Sequence, residues 1–217
     1  MAKKFPPLII VDDKQKWAHV SIPKCACSSI RRALEKHFKL EPVEKYEMVH
    51  NRTWPHVESM KWIASLDDSW YTWAIVRNPF DRLVSVWQEK CCVSEAKPCL
   101  GPQLKRLVGK SFDVFCRNIC DLVQSPPEDE ILDTHITPMS HFLLYNGECV
   151  AKVIREMYEA DSFWLELQKR YRFPDLEHLN ISIHKPSGCY YTPELRRLVE
   201  EAYRNDLQLW WSSTKSS

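Results

Sequence analysis

Apolar positions along this chain alternate between two spacings, and the alternation predicts strands interleaved with helices. Trp17–Phe38 (WAHVSIPKCACSSIRRALEKHF) reads as a short strand, a tight loop carrying one lysine, and an amphipathic helix. Ile30, Ala33, Leu34, His37 and Phe38 recur at i, i+3, i+4, i+7 and i+8, one face of a helix. Trp70–Val76 (WYTWAIV), dense in aromatic and β-branched residues, is the strongest strand candidate. Asn78-Pro79 then opens a helix, a cap followed by proline at the first helical position, with Phe80, Leu83, Val84 and Trp87 as its stripe.

Weaker patterns complete the outline. Tyr46–His50 reads as a strand and Trp54–Leu66 as a helix, and Lys90–Gly109 is a polar, cysteine-containing insertion. Phe112–Val123 reads as a helix, and Ser125–Glu130 as an exposed acidic break. Val150–Arg155 and His178–Ile183 read as strands, with the helix Asp161–Tyr171 between them. Thr192-Pro193-Glu194 opens a last helix whose buried face carries Leu195, Leu198, Val199, Ala202 and Leu209. Strands alternating with helices predict an α/β fold, a central, mainly parallel sheet flanked by helices, with ligands at the carboxyl ends of the strands. Its 217 residues suit a single domain, residues 1–14 and 212–217 being its flexible ends.

Composition narrows the function. A net charge of +1 argues against broad electrostatic capture of nucleic acid, so any anion site must be local. The apolar run Leu8–Val11 is far too short for a membrane span, and the basic N-terminus lacks the apolar core of a signal peptide, so a cytoplasmic protein is expected. Nine cysteines, an odd number without paired zinc-type spacing, read as free thiols in a reducing compartment. Cys116 and Cys120 fit a core helix face. Cys91, Cys92 and Cys99 could form a disulfide only in an oxidising environment.

Two elements suit anion binding. In the first, Lys24 heads a loop, Pro23 to Ser29, whose backbone N–H groups and following helix N-terminus form a cradle. Ser28 or Ser29 is the expected N-cap, and Ala26 is small enough for a ligand to approach the backbone. Arg31 and Arg32 then fall in the first turn, where positive charge opposes the helix dipole and suits a docked polyanion. In the second element Arg77 stands where the strong strand ends, and Ser85, off the apolar stripe, offers a hydroxyl beside it. A guanidinium with a hydroxyl suits a terminal phosphate. Arg82 reads as a surface or ion-paired arginine near Asp81.

Together, IPKCACSSI and IVRNPFDRLVSVW resemble the sulfotransferases that use 3′-phosphoadenosine 5′-phosphosulfate (PAPS), whose fold is P-loop-like and three-layered. The resemblance runs from about Trp17 to Trp210 and leans to the carbohydrate branch, the chondroitin and HNK-1 type. That branch shares an Asp-x-His-x-x-Pro segment, here Asp133 to Pro138, and a Tyr-Thr-Pro-Glu-Leu helix start, here Tyr190–Leu195. The resemblance implies that Lys24, Cys25, Ala26, Cys27, Ser28 and Ser29 hold the 5′-phosphosulfate, and that Arg77 and Ser85 hold the 3′-phosphate. Lys24 would be catalytic, stabilising the leaving phosphate, and His135 the general base. Asn180, Ser182 and Lys185 would close over the nucleotide. No metal is expected, and the product would be 3′-phosphoadenosine 5′-phosphate. The acceptor implied is a hydroxyl, on a carbohydrate or a small metabolite. The loop departs from many relatives in having Cys25-Ala26-Cys27 where they have glycines, and the histidine segment lacks the Trp and Gln that often accompany it. The rival readings are a P-loop nucleotide kinase and a non-catalytic nucleotide-binding relative. For location, the rival is a luminal domain cut from a Golgi-type enzyme.

Overall fold

Leu8–Asp12 (β1) and Trp17–Ser21 (β2) pair antiparallel through a turn that Asp12 ties down, its Oδ1 accepting the N–H groups of Lys14 and Gln15, each at 3.0 Å. The computed structural model describes residues 7–41, 43, 53, 54, 56–92, 100–128, 130–179 and 186–214. They fall into two compact units. One comprises Pro7–Val76 and Phe142–Ile181; the other contains Arg77–His141 and Ser182–Ser217.

The first unit carries the sheet, in the order β3-β1-β2-β4-β7, where β3 is Val57–Glu58, β4 Tyr71–Val76 and β7 Val153–Glu156. β2 pairs parallel with β4, and β4 with β7, while β1 pairs antiparallel with both neighbours. The sheet is therefore mixed, which corrects the expectation of a mainly parallel one. The cause is local. Leu8–Asp12 belongs to an end expected to be flexible, yet its apolar residues pair back on β2 and are buried.

Alternation sets the two faces of β2 and β4. Trp17 and His19 face the same way as their partners Tyr71 and Trp73, and the His19 ring stacks on Trp73 with centroids 4.0 Å apart. On this face lie helix α1 (Cys27–His37), through His37 against Trp17, and helix α7 (Ala160–Tyr171), through Phe163 and Trp164 against Trp73. Phe173 closes the cluster, 5.1 Å from both Trp17 and Trp164. Thr72 joins β4 to the segment before β7: its hydroxyl donates to Val150 and accepts the N–H of Lys152. Burial of the His19 ring, with the Arg31 charge adding to it, lowers its pKa to about 3, so it stays neutral inside the sheet.

The second unit is helical among its described residues. Asn78 caps α3 (Pro79–Val86) by accepting the Phe80 N–H at 2.9 Å, with proline at the first helical position as expected. A π-helical turn, Trp87–Cys91, continues it. α4 (Pro102–Lys105), α5 (Phe112–Gln124), α8 (Pro193–Ala202) and α9 (Arg204–Thr214) follow. Their shared core includes Leu83, Leu104, Phe115, Ile119, Leu195, Val199 and Tyr203, and Cys116 and Cys120 lie in it as predicted. Each fully buried large apolar side chain here contributes about 1.5–3 kcal/mol.

Boundaries differ from expectation in identifiable ways. The expected helix Trp54–Leu66 shortens to β3 and α2 (Met60–Ala64), capped by Ser59. A helix α6 (Met139–Leu143) and a hairpin, β5 (Leu144–Tyr145) with β6 (Glu148–Cys149), precede β7. The last helix breaks at Tyr203 into α8 and α9, and α9 runs to Thr214, into the tail expected to be loose. The strand expected at Tyr46–His50 lies outside the described residues, as do residues 180–183 of the one expected at His178–Ile183; His178 and Leu179 are irregular. Cys91 and Cys92 are free thiols, and Cys99 lies outside the described residues. No helix among the described residues is long and apolar enough to cross a membrane.

Candidate active site

The loop after β2 is a tight turn. Cys25 donates its N–H to the Ile22 carbonyl at 3.3 Å, enclosing Pro23 and Lys24. Proline presets the first central residue of such a turn, and the second needs a positive φ, a place usually left to glycine. Here Lys24 fills it, at φ 69°. Ala26, at φ 57°, takes a second left-handed position as the residue before α1. For a residue with a Cβ, each costs about 1–2 kcal/mol.

Helix α1 begins at Cys27, so the expected Ser28 or Ser29 cap is corrected: both serines lie inside the first turn. Ala26 stands at the cap and makes no side-chain hydrogen bond there. The first turn of a helix presents N–H groups without intrahelical partners, and a methyl group cannot accept from them. Cys25, Cys27, Ser28 and Ser29 are buried, and the Ser29 hydroxyl accepts the Leu179 N–H at 3.0 Å. Arg31 and Arg32 lie beyond the first turn, correcting a second expectation. Arg31 is buried with its Nε donating to Ser21 at 3.1 Å, and Arg32 bonds Glu35 and the Val43 carbonyl. Burial lowers the Arg31 pKa, opposed by the charge of Cys27.

Arg77 directly follows the carboxyl end of β4 and is half-buried; Ser85 is buried on α3. Arg82, expected at the surface, is 1 % exposed. Its guanidinium donates to the Thr134 carbonyl at 3.4 Å, tying α3 to the segment that carries His135.

That segment is held throughout. Asp133 accepts both the His135 backbone N–H at 2.9 Å and its ring Nδ1 at 2.7 Å on one carboxylate oxygen. Burial works to raise the Asp133 pKa, but the bonds and charge of His135 outweigh it and hold the carboxyl below its ordinary range. A carboxylate only accepts, so the ring proton sits on Nδ1 and the Nε2 lone pair is left to take a proton. The His135 side chain is 30 % exposed, enough to meet a substrate. Farther along, the Tyr203 hydroxyl donates to the Ile136 carbonyl, and Asp206, fully buried, accepts the N–H groups of Met139 and Ser140 at 2.7 and 2.8 Å. Burial pushes the Asp206 carboxyl above its usual range, against the Arg82 charge and these N–H groups.

Of the predicted site residues, Lys24, Cys25, Ala26, Cys27, Ser28 and Ser29 are assembled in the first unit. Arg77, Ser85 and His135 belong to the second. Within the second, Ser85 and Arg82 share one helix, and Arg82 touches the His135 segment. Asn180, Ser182 and Lys185 lie outside the described residues. Asp206, Tyr203 and the inward turn of Arg82 went unread in the sequence, because each acts through contacts with chain far away. Among the described residues, no group of histidine, cysteine and carboxylate side chains is arranged to hold a metal ion.

A family model described as the sulfotransferase family matches residues 7–210. No curated protein and no solved structure matches the chain.

Proposed function

The chain belongs to the sulfotransferase family, and on that premise we propose that it transfers a sulfuryl group from PAPS to an acceptor hydroxyl, on a carbohydrate or a small metabolite. The observation that carries this reading is Lys24, held at φ 69° in the turn that leads into α1, three residues before its first residue, Cys27. Glycine would be more stable there, so a lysine at that place argues for its side chain. The surroundings fit an anionic phosphosulfate. N–H groups of the first turn of α1 meet no side-chain acceptor from Ala26, and an ammonium precedes them.

When bound, PAPS supplies an activated sulfuryl group with a phosphate as its leaving group. Lys24 supplies positive charge where negative charge develops on that phosphate, and the backbone of Cys25, Ala26 and Cys27 with the hydroxyls of Ser28 and Ser29 holds the 5′ end. Arg77 and Ser85 hold the 3′-phosphate. His135, its Nδ1 proton fixed by Asp133, takes the acceptor's proton on Nε2. Removing that proton makes the hydroxyl a stronger nucleophile without a covalent enzyme intermediate.

Thermal melts with nucleotides test the donor. 3′-Phosphoadenosine 5′-phosphate should raise the melting temperature well above the effect of AMP at equal concentration, because only a ligand of the native state stabilises it. An equal response to both would remove the 3′-phosphate site from the reading. Transfer of labelled sulfate from PAPS to a panel of sugars and small hydroxyl compounds then identifies the acceptor; hydrolysis of ATP with magnesium instead would favour a kinase.

A further inference from the structure

The Asp133–His135 pair depends on a second layer of residues, and that layer sits in the stretch that reads in the sequence as a polar insertion. Gln103, on α4, is 3 % exposed and uses both ends of its amide. Its Oε1 accepts the backbone N–H of Asp133 at 2.8 Å, and its Nε2 donates to the Glu130 carboxylate and the Ile131 carbonyl, each at 3.1 Å. One side chain thus fixes the approach to Asp133 from Glu130 onward.

Gly101, the residue before α4, meets the same carboxylate from another side. A Cβ at position 101 would lie 2.6 Å from Asp133 Oδ2, the oxygen not bonded to His135. Its backbone, at φ −62° and ψ 157°, is open to any residue, so chain conformation does not call for glycine there. The close approach of Asp133 does. Any side chain at 101 pushes on the carboxylate that orients the imidazole.

Two further contacts set α4 beside the π-helical turn. The Cys91 thiol lies 3.8 Å from the Leu104 carbonyl, and the Cys91 carbonyl accepts the Gly109 N–H at 2.7 Å. Helix α3, the π-turn and α4 therefore form one packed run. It ends on Asp133 at Gly101 and Gln103, and on Thr134 at Arg82.

We infer that Gly101 and Gln103 are positioning residues that hold Asp133 so that its carboxylate fixes the orientation and tautomer of His135. The catalytic consequence rests on the reading of His135 as the base, but the positioning itself does not. Side-chain ¹⁵N spectra of the full chain report which ring nitrogen carries the proton, and His135→Ala identifies the His135 signal. In the unaltered protein the proton of the neutral ring is expected on Nδ1.

Gln103→Leu removes the acceptor for the Asp133 N–H, and Gly101→Ala displaces the carboxylate without touching Gln103. In both, the His135 signal should move to a mixture of Nδ1–H and Nε2–H forms. Turnover should fall about 10–100-fold, the scale of second-layer substitutions, with the KM for PAPS unchanged. A variant merely destabilised would melt earlier yet keep the Nδ1–H form, so retention of that form in either folded variant overturns the inference. Loss of the Nδ1–H form with turnover intact upholds it and removes His135 from the chemistry. Should Gln103→Leu fail to fold, Gly101→Ala gives the same two readouts independently.

Discussion

Tyr203 donates its hydroxyl to the Ile136 carbonyl at 2.7 Å, across 67 residues of sequence, and both residues are buried. The bond lies one residue beyond His135. With Asp206 on the N–H groups of Met139 and Ser140, it makes the C-terminal helices part of what holds the candidate base in place.

Tyr203→Phe should cost about 1–2 kcal/mol, because the Ile136 carbonyl loses its donor in a dry site. Asp206→Ala should cost more, on the order of 3 kcal/mol, since two buried N–H groups lose their acceptor together. Urea denaturation measures both, and a smaller loss for Asp206→Ala than for Tyr203→Phe would contradict this account of the segment.

Lys24→Gly separates stability from activity. Relief of the left-handed backbone should stabilise the protein by about 1 kcal/mol, while sulfate transfer from PAPS is lost. Ala26→Gly should give a similar gain in stability and leave transfer intact. Melting curves run beside a labelled-sulfate assay decide it; full activity in Lys24→Gly would end the catalytic role of the lysine.

Arg77→Ala should erase the preference for 3′-phosphoadenosine 5′-phosphate over AMP. Ser85→Ala should weaken nucleotide binding about tenfold, the worth of one hydrogen bond to a charged group. Titration calorimetry with both nucleotides gives the comparison directly.

His19 predicts a pH dependence of stability. Its folded pKa, about 3, lies below the ordinary 6.5, so the unfolded chain binds a proton that the native state refuses. Stability from this residue is complete above pH 6.5 and is lost as pH falls from there towards 3; at pH 5 the loss is about 2 kcal/mol. His19→Phe, which keeps a flat ring against Trp73, should flatten the melting temperature between pH 7 and 5. An equally steep decline in that variant would assign the dependence to other groups.

Much of this could be read where the signal is local. The Asn78-Pro79 cap, the Thr192 cap with its proline and the aromatic strand at Tyr71–Val76 each carry their own instructions within a few residues. The lysine loop and the Asp133–His135 segment were legible as motifs. What escaped depends on distant partners. The four apolar residues Leu8–Val11 read as too short for a membrane span and as part of a flexible end, and their two pairing edges come from β2 and β3, farther along the chain. Arg82 looked like a surface charge because nothing near it in sequence reveals Thr134 or Asp206. Ser28 and Ser29 suit a cap by residue type, but the turn at Lys24 starts the helix one step earlier, at Cys27.

The sheet has a consequence for synthesis on the ribosome. Strand β4 is complete at Val76, but its outer neighbour β7 is not made until residues 153–156, after most of the helical unit has been translated. Until then the growing chain carries β4 with one edge of backbone groups unpaired, an edge open to other chains. A nascent chain stopped before β7 should therefore aggregate, and one extended through Tyr171 should not. The lysine loop, made well before β7, would then reach its working shape only after that strand has joined the sheet.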